Sequence, residues 1–206
     1  IVMAFQDFNV VLSFWRSPFV GLDNFRYILG MPQFARVFRN TFLIATGKTI
    51  LRQLVPLIIA LLINEVSNFK FKKLVQTSMF LPFFLSWTVL AGVLKEMFSL
   101  NGVINYLLTP IVPEGIFFMN SNFWFPIILI VTDVWKGMGY NIIIYLAAIT
   151  GIDPNLYEAA AIDGCGRWRQ TIHITLPGMR PIIILLATLS IGSLLDAGFD
   201  QILLMY

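Results

Sequence analysis

The 206-residue chain carries 14 Lys and Arg against 11 Asp and Glu, so only 12% of it is charged, about half the share of a soluble domain. Counted with Gly and without Tyr, its apolar share is about 62%, against roughly 45–50% in soluble domains. This composition excludes disorder, and a net charge of +3 with scattered Arg supplies no phosphate-tracking stripe for nucleic acid. The single cysteine, Cys165, excludes an intrachain disulfide and any cysteine-built metal site.

In chain order, Ile1 to Trp15 reads as the tail of a span followed by an interfacial stretch, because Gln6, Asp7 and Asn9 interrupt it. The chain opens inside an apolar run with no initiator Met and no signal-peptide pattern, so it reads as a piece with further spans expected beyond Ile1 and Tyr206. Four complete spans are predicted at 41–63, 77–98, 123–149 and 181–206, each long enough for a hydrocarbon core of about 30 Å. Backbone groups in lipid must be paired internally. Runs of this length fit helices, since barrel strands are about 9–11 residues of alternating polarity. The expected architecture is therefore an all-α polytopic helix bundle forming one membrane domain, 1–206, resident in a cell membrane.

Basic residues orient it. Lys70, Lys72 and Lys73 place 65–76 in the cytoplasm, as do Arg167, Arg169 and Arg180 for 150–180. The stretch 99–122 has no Lys or Arg and faces outside. Arg16, Arg26, Arg36 and Arg39 break the rule on the outer side, and Asn24 to Phe38 is expected to be an interfacial segment.

The connection 150–180 is far longer than the 2–8 residues that join adjacent helices. Asp153-Pro154 is a helix start, Leu156, Ala159, Ala160 and Ile162 form a small apolar face, and Gly164 and Gly166 break it. A second short helix, Arg167 to Ile174, is predicted to stop at Pro177. The product is a two-helix cytoplasmic knuckle with the composition of a docking surface.

Glu158-Ala159-Ala160, Asp163-Gly164, Ile174-Thr175-Leu176-Pro177 and Pro181, read as EAAAIDGCGRWRQTIHITLPGMRP, resemble the EAA loop of ABC importer permeases. Gly21-Leu22-Asp23-Asn24-Phe25, Asn40-Thr41 and Leu61-Leu62-Ile63-Asn64-Glu65 resemble the first permease subunit of binding-protein-dependent oligosaccharide importers, the maltose-type and polysaccharide-fragment group. The similarity runs over essentially the whole chain. Departures are Cys165, where the family usually has a small residue such as Ala, and Gln170 to His173, which replaces a commonly aromatic stretch. The resemblance implies that the knuckle is a coupling helix seated in a cleft of a cytoplasmic ATPase, with Glu158, Ala159, Ala160, Asp163 and Gly164 at the contact and Arg167 and Arg169 on its rim. It also implies a second homologous permease subunit, two ATPase subunits, an extracytoplasmic sugar-binding protein and an oligosaccharide substrate. No G-x-x-x-x-G-K-[ST] occurs in the chain, so ATP and Mg belong to the partner ATPase and this chain is a non-catalytic subunit with no cofactor of its own.

Charges inside spans are costly and face a bundle interior or a polar path. Lys48 and Arg52, Asp133 and Lys136, and Asp196 and Asp200 lie three or four apart on helix faces. The structural expectation is ion pairing of Lys48 or Arg52 with Asp196 or Asp200; the functional one is that all six line a path. The resemblance implies that a Gly-x-x-Tyr pair holds the sugar mid-membrane, matched by Gly137 and Tyr140, with Ser193 and Asp196 at positions that are asparagines in the maltose type. Lys136, Lys48 and Arg52 suit an acidic, uronic-acid-containing oligosaccharide. Trp87 and Trp135 are further candidate walls, and Trp124 an interface anchor. A secondary transporter or channel could use the same buried charges but gives no reason for the knuckle. An intramembrane enzyme lacks a nucleophile and base, since the one histidine, His173, lies in the cytoplasmic connection with no second metal ligand nearby.

Overall fold

The computed structural model describes residues 2–8, 16–192 and 198–206. It divides into two compact units, Ile1–Phe42 and Leu43–Tyr206. The described residues are helical, with no strand beyond a single bridge between Gln6 and Phe19.

In the first unit, Val2–Phe5 is a 3₁₀ turn and not the end of a long helix. Asn24 Nδ2 donates to the Ala4 and Gln6 carbonyls at 3.1 and 3.0 Å, and Val20 N–H donates to Phe5 O at 2.8 Å. Those carbonyls are taken by neighbours, so the segment pairs with 18–20 instead of propagating a helix. The rest of the expected partial span, 9–15, lies outside the described residues. Helix α1 (Asp23–Gly30) covers the first half of the expected interfacial segment; the second half starts α2.

Helix α2 (Phe34–Glu65) has 32 residues and is about 48 Å long, starting at Phe34 where the sequence predicts Thr41. Within it Pro56 has no N–H to give to Arg52 O. Asn141 Nδ2 donates to that carbonyl at 3.1 Å, which satisfies a backbone group that lipid would leave orphaned. The predicted second span is two helices, α3 (Phe69–Phe80) and α4 (Trp87–Met97), joined by a 3₁₀ turn at Leu81–Phe84 and bent by 105°. Pro82 lies at the start of the turn, Leu85 is extended, and the Ser86 side chain accepts from Val89 N–H, so the chain stops one helix and caps the next.

Helix α5 (Val103–Leu108) lies in the connection after α4, fixed by buried Asn105, which donates to the Ser99 and Ile116 carbonyls and accepts from Ile116 N–H at 2.8–3.0 Å. Helix α6 (Trp124–Thr150) falls within one residue of its predicted bounds. After α7 (Pro154–Ile162), one helical run of 26 residues extends from Arg167 to Gly192: α8 (Arg167–Gln170), a π turn (Thr171–Thr175) and α9 (Leu176–Gly192). The predicted stop at Pro177 therefore does not occur. In the π turn Leu176 N–H reaches back to Thr171 O, and the widened backbone admits a proline that an ordinary helix interior would reject. Helix α10 (Phe199–Met205) is a separate element led by Gly198 at φ 77°, so the predicted span 181–206 is not one helix; 193–197 lie outside the described residues.

Between helices in lipid, close contact replaces the hydrophobic drive, and small residues permit it. A Cβ on Gly139 would lie within 2.4 Å of Met79 O and 2.6 Å of Phe80 Cα, so α3 crosses α6 in backbone contact. Fully buried Ala60 helps bring α2, α6 and α9 together around Ile63, Tyr145, Ile149 and Met179. A second cluster joins Ile44, Leu90, Leu94, Leu129 and Met205 from α2, α4, α6 and α10.

Candidate functional site

The buried charges of α2 and α6 meet in one cluster. Asp133, 1% exposed, accepts two parallel bonds from Arg52, Nε to Oδ2 and Nη2 to Oδ1, each at 2.6 Å. Lys48 Nζ stands 3.7 Å from Asp133 Oδ1 and donates to Gln201 Oε1 at 2.5 Å. Gln201 Nε2 in turn donates to Leu129 O and Thr132 Oγ1 at 2.9 and 2.8 Å, tying α10 to α6. Among the described residues Asp133 on α6 pairs with both cations, while the expected partner Asp200 is exposed and in no ion pair, and the other expected partner, Asp196, lies outside the described residues. Asp200 leads α10, where residue 201 and not residue 200 turns inward. Ser193 and Asp196 lie outside the described residues. Gly137 is against the cluster, where a Cβ would lie 3.9 Å from Arg52 Nε.

Lys136 and Tyr140, three and seven residues beyond Asp133 on α6, face the broken helix. Lys136 Nζ donates to Phe83 O at 3.3 Å and stands 5.7 Å from the Phe83 ring centroid and 5.5 Å from that of Trp87. The Tyr140 ring stacks on Phe83 at 5.5 Å and 13° and is 50% exposed. Trp135 is also part-exposed; Trp124, at the first residue of α6, packs on Phe118 and Phe123.

At the other end of the unit is the knuckle. Asp153 caps α7 by accepting from Asn155 N–H at 3.0 Å. Gly164, at φ 76°, makes the turn that ends α7, a conformation that side-chain-bearing residues rarely adopt. Tyr157 Oη and Thr175 Oγ1 lie 3.0 Å apart, and Gln170 Nε2 reaches Cys165 O at 3.2 Å and Tyr157 O at 3.5 Å. These bonds brace α7 on the π turn. Glu158, Ala159, Asp163, Arg167 and Arg169 are exposed and Ala160 is half-buried, with Ile162 and Trp168 prominent at 87% and 76% exposure. Arg167 also stands 3.6 Å from Glu65 at the end of α2.

Reading the sequence alone misses Gln201, Thr132, Asn141 and Phe83. Pro56 announces the orphaned carbonyl that Asn141 serves, and Pro82 followed by Ser86 announces the break that bares Phe83 O. No sequence signal points to Gln201.

Residues 55–199 match a family model described as the binding-protein-dependent transport system inner membrane component. The chain is 40% identical over 206 residues to Protein LplB of Bacillus subtilis strain 168, and 39% identical to the polygalacturonan/rhamnogalacturonan transport system permease protein YteP of the same organism. It spans all of this chain but only 65% and 64% of those two relatives. Among solved structures it is similar to a bacterial ABC transporter involved in the import of the acidic polysaccharide alginate, with a TM-score of 0.87 and 37% identity over 92% of this chain and 66% of that one. A second crystal structure, of the bacterial alginate ABC transporter in complex with an alginate pentasaccharide-bound periplasmic protein, gives a TM-score of 0.86 at 37% identity, over 90% of this chain and 65% of that one.

Proposed function

Because the chain belongs to the family of binding-protein-dependent transport system inner membrane components, we propose that it is the membrane-spanning permease part of an ATP-driven importer of oligosaccharides. It is a multi-pass membrane protein, with three helices long and apolar enough to cross, or four if the bent pair is one span. In this reading it works with a second, related permease subunit, two cytoplasmic ATPases that bind ATP and Mg, and an extracytoplasmic sugar-binding protein.

The observation that carries the reading is the exposed, braced knuckle. Ile162, Trp168 and the acid Glu158 project from a rigid corner that is continuous through the π turn with a helix long enough to span the membrane. A secondary transporter needs no such corner. A force on α7 reaches the π turn that leads into α9 through Tyr157–Thr175, and a force on α8 reaches α2 through Arg167–Glu65, so ATPase closure is passed to α9 and to α2, the helix that carries Lys48 and Arg52. The relatives named for acidic polysaccharides favour an acidic oligosaccharide as the cargo, with Lys136, Gly137 and Tyr140 among the groups it passes.

The test is uptake by membrane vesicles holding the whole complex. ATP depletion with the proton gradient held constant is expected to abolish uptake, and persistence would favour a secondary transporter. Gly164→Pro forces φ to about −65° where the corner needs +76°, and Glu158→Lys reverses an exposed charge. Each is expected to weaken ATPase association and transport; unchanged association would defeat the coupling reading.

A further inference from the structure

We infer that Lys136, held between Phe83 and Trp87 at the break between α3 and α4, is the group that reads a carboxylate on the translocating oligosaccharide. This rests on the oligosaccharide-import reading and goes beyond it by separating the cations of the spans into two kinds.

The separation follows from charge pairing. Lys48 and Arg52 share Asp133, and Arg52 makes both of its short bonds to that one carboxylate. Their charge is committed to the fold. Lys136 has no carboxylate partner among the described residues; its contacts are one backbone carbonyl and two aromatic faces. A carbonyl and two rings hold an ammonium group in place by dipole and quadrupole without neutralising it. Lys136 therefore stands without a carboxylate partner among the described residues near the middle of a 27-residue span, where a basic side chain is costly unless it faces water or an anion.

The surroundings define what that anion looks like. Tyr140, half exposed and stacked parallel on Phe83, offers a flat apolar wall of the kind that receives the C–H face of a pyranose. Phe83 and Trp87 flank a break in a transmembrane element, and interrupted helices at mid-membrane are where transporters expose backbone polar groups and helix ends to cargo. The capped start of α4 at Trp87 adds a positive pole on the same side. A carboxylate attached to a sugar ring satisfies the cation and the wall together, which inorganic anions and neutral sugars do not.

The experiment uses the complete transporter with its binding protein in proteoliposomes. Initial rates of ATP-dependent uptake are measured against concentration for tri- to pentasaccharides of galacturonate and of alginate, and for the same oligomers with their carboxyls reduced to alcohols. Charge-assisted contacts of this kind contribute enough for a preference of about 10- to 100-fold. Lys136→Met is expected to lower kcat/KM for an acidic oligomer at least tenfold and to leave the carboxyl-reduced one within about twofold; Lys136→Arg should retain most of the preference for acid. A parallel fall for acidic and reduced oligomers in both variants would show a merely structural role and overturn the inference, as would an unchanged acid preference in Lys136→Met. If the wild-type complex imports neither kind of oligomer on ATP, the import reading fails and takes this inference with it. If it imports them and the ratio ignores residue 136, only this inference fails.

Discussion

Asp133→Asn tests the charge cluster that joins α2 to α6. Asp133 is 1% exposed and its one negative charge faces two cations, Arg52 at 2.6 Å and Lys48 at 3.7 Å. The amide is isosteric, so packing survives, but the net charge of the trio rises from +1 to +2. Breaking a buried pair by removing one partner costs about 3–5 kcal/mol. Because the Arg52 side chain is 38% exposed and can turn partly to water, the lower end applies, about 3 kcal/mol. For a chain of 206 residues that is a fall of roughly 6–12 °C in Tm, read by tryptophan fluorescence or by a thiol-reactive dye on Cys165 in the detergent-solubilised complex. Arg52→Gln alone should cost less, since Asp133 keeps Lys48. In the double variant the trio returns to +1, so its loss should be smaller than the sum of the two singles by at least about 1 kcal/mol. Additive losses, or an Asp133→Asn variant within about 1 °C of wild type, would refute the account of a shared carboxylate.

Gly139→Ala would place a methyl against the backbone of Met79 and Phe80, and because backbone cannot swing aside, a loss of about 1–3 kcal/mol is expected as lowered Tm and yield; wild-type values for both would contradict the crossing. Asn105→Ala removes three bonds to Ser99 and Ile116 from a residue 3% exposed, so limited proteolysis from the outer face should cut 99–122 several-fold faster, with little change elsewhere. Glu65→Gln breaks only the exposed pair with Arg167 at 3.6 Å; such pairs contribute about 0–1 kcal/mol, so Tm should hold within about 2 °C, and any strong effect should appear in coupling of ATP use to uptake.

The long apolar runs made α2 and α6 legible, because length and hydropathy are what lipid selects for. The knuckle was legible from Asp153-Pro154 and Gly164, whose backbone demands are local. The bend at 85–86 was not, because an apolar run looks the same whether it is straight or turned; Pro82 and Ser86 carried the signal inside it. Pro177 misled in the opposite direction, since a π turn accommodates a ring that the usual helix rule forbids. Helical spacing correctly put Lys48 and Arg52 on one face. It could not say which neighbouring helix faces them; α2 and α6 run close together, with a Cβ on Gly47 falling 2.7 Å from the Ile130 Cδ1 atom, and Asp133 of α6 comes within reach of both cations.

The modest contact between Glu65 and Arg167 also fixes a parity. It joins the last residue of α2 to the knuckle that follows α6, so these two long helices finish on one and the same side of the bilayer. Helix α3 starts four residues after α2 ends, on that side too. If the bent pair merely dipped into the membrane and returned, α6 would set out from this side and end about 40 Å away, with Arg167 out of reach of Glu65. The number of crossings between Glu65 and Thr150 must be even. The broken element, though neither leg is long enough to traverse the hydrocarbon alone, therefore makes one complete passage, and the lysine-free connection at 99–122 emerges opposite Lys70, Lys72 and Lys73.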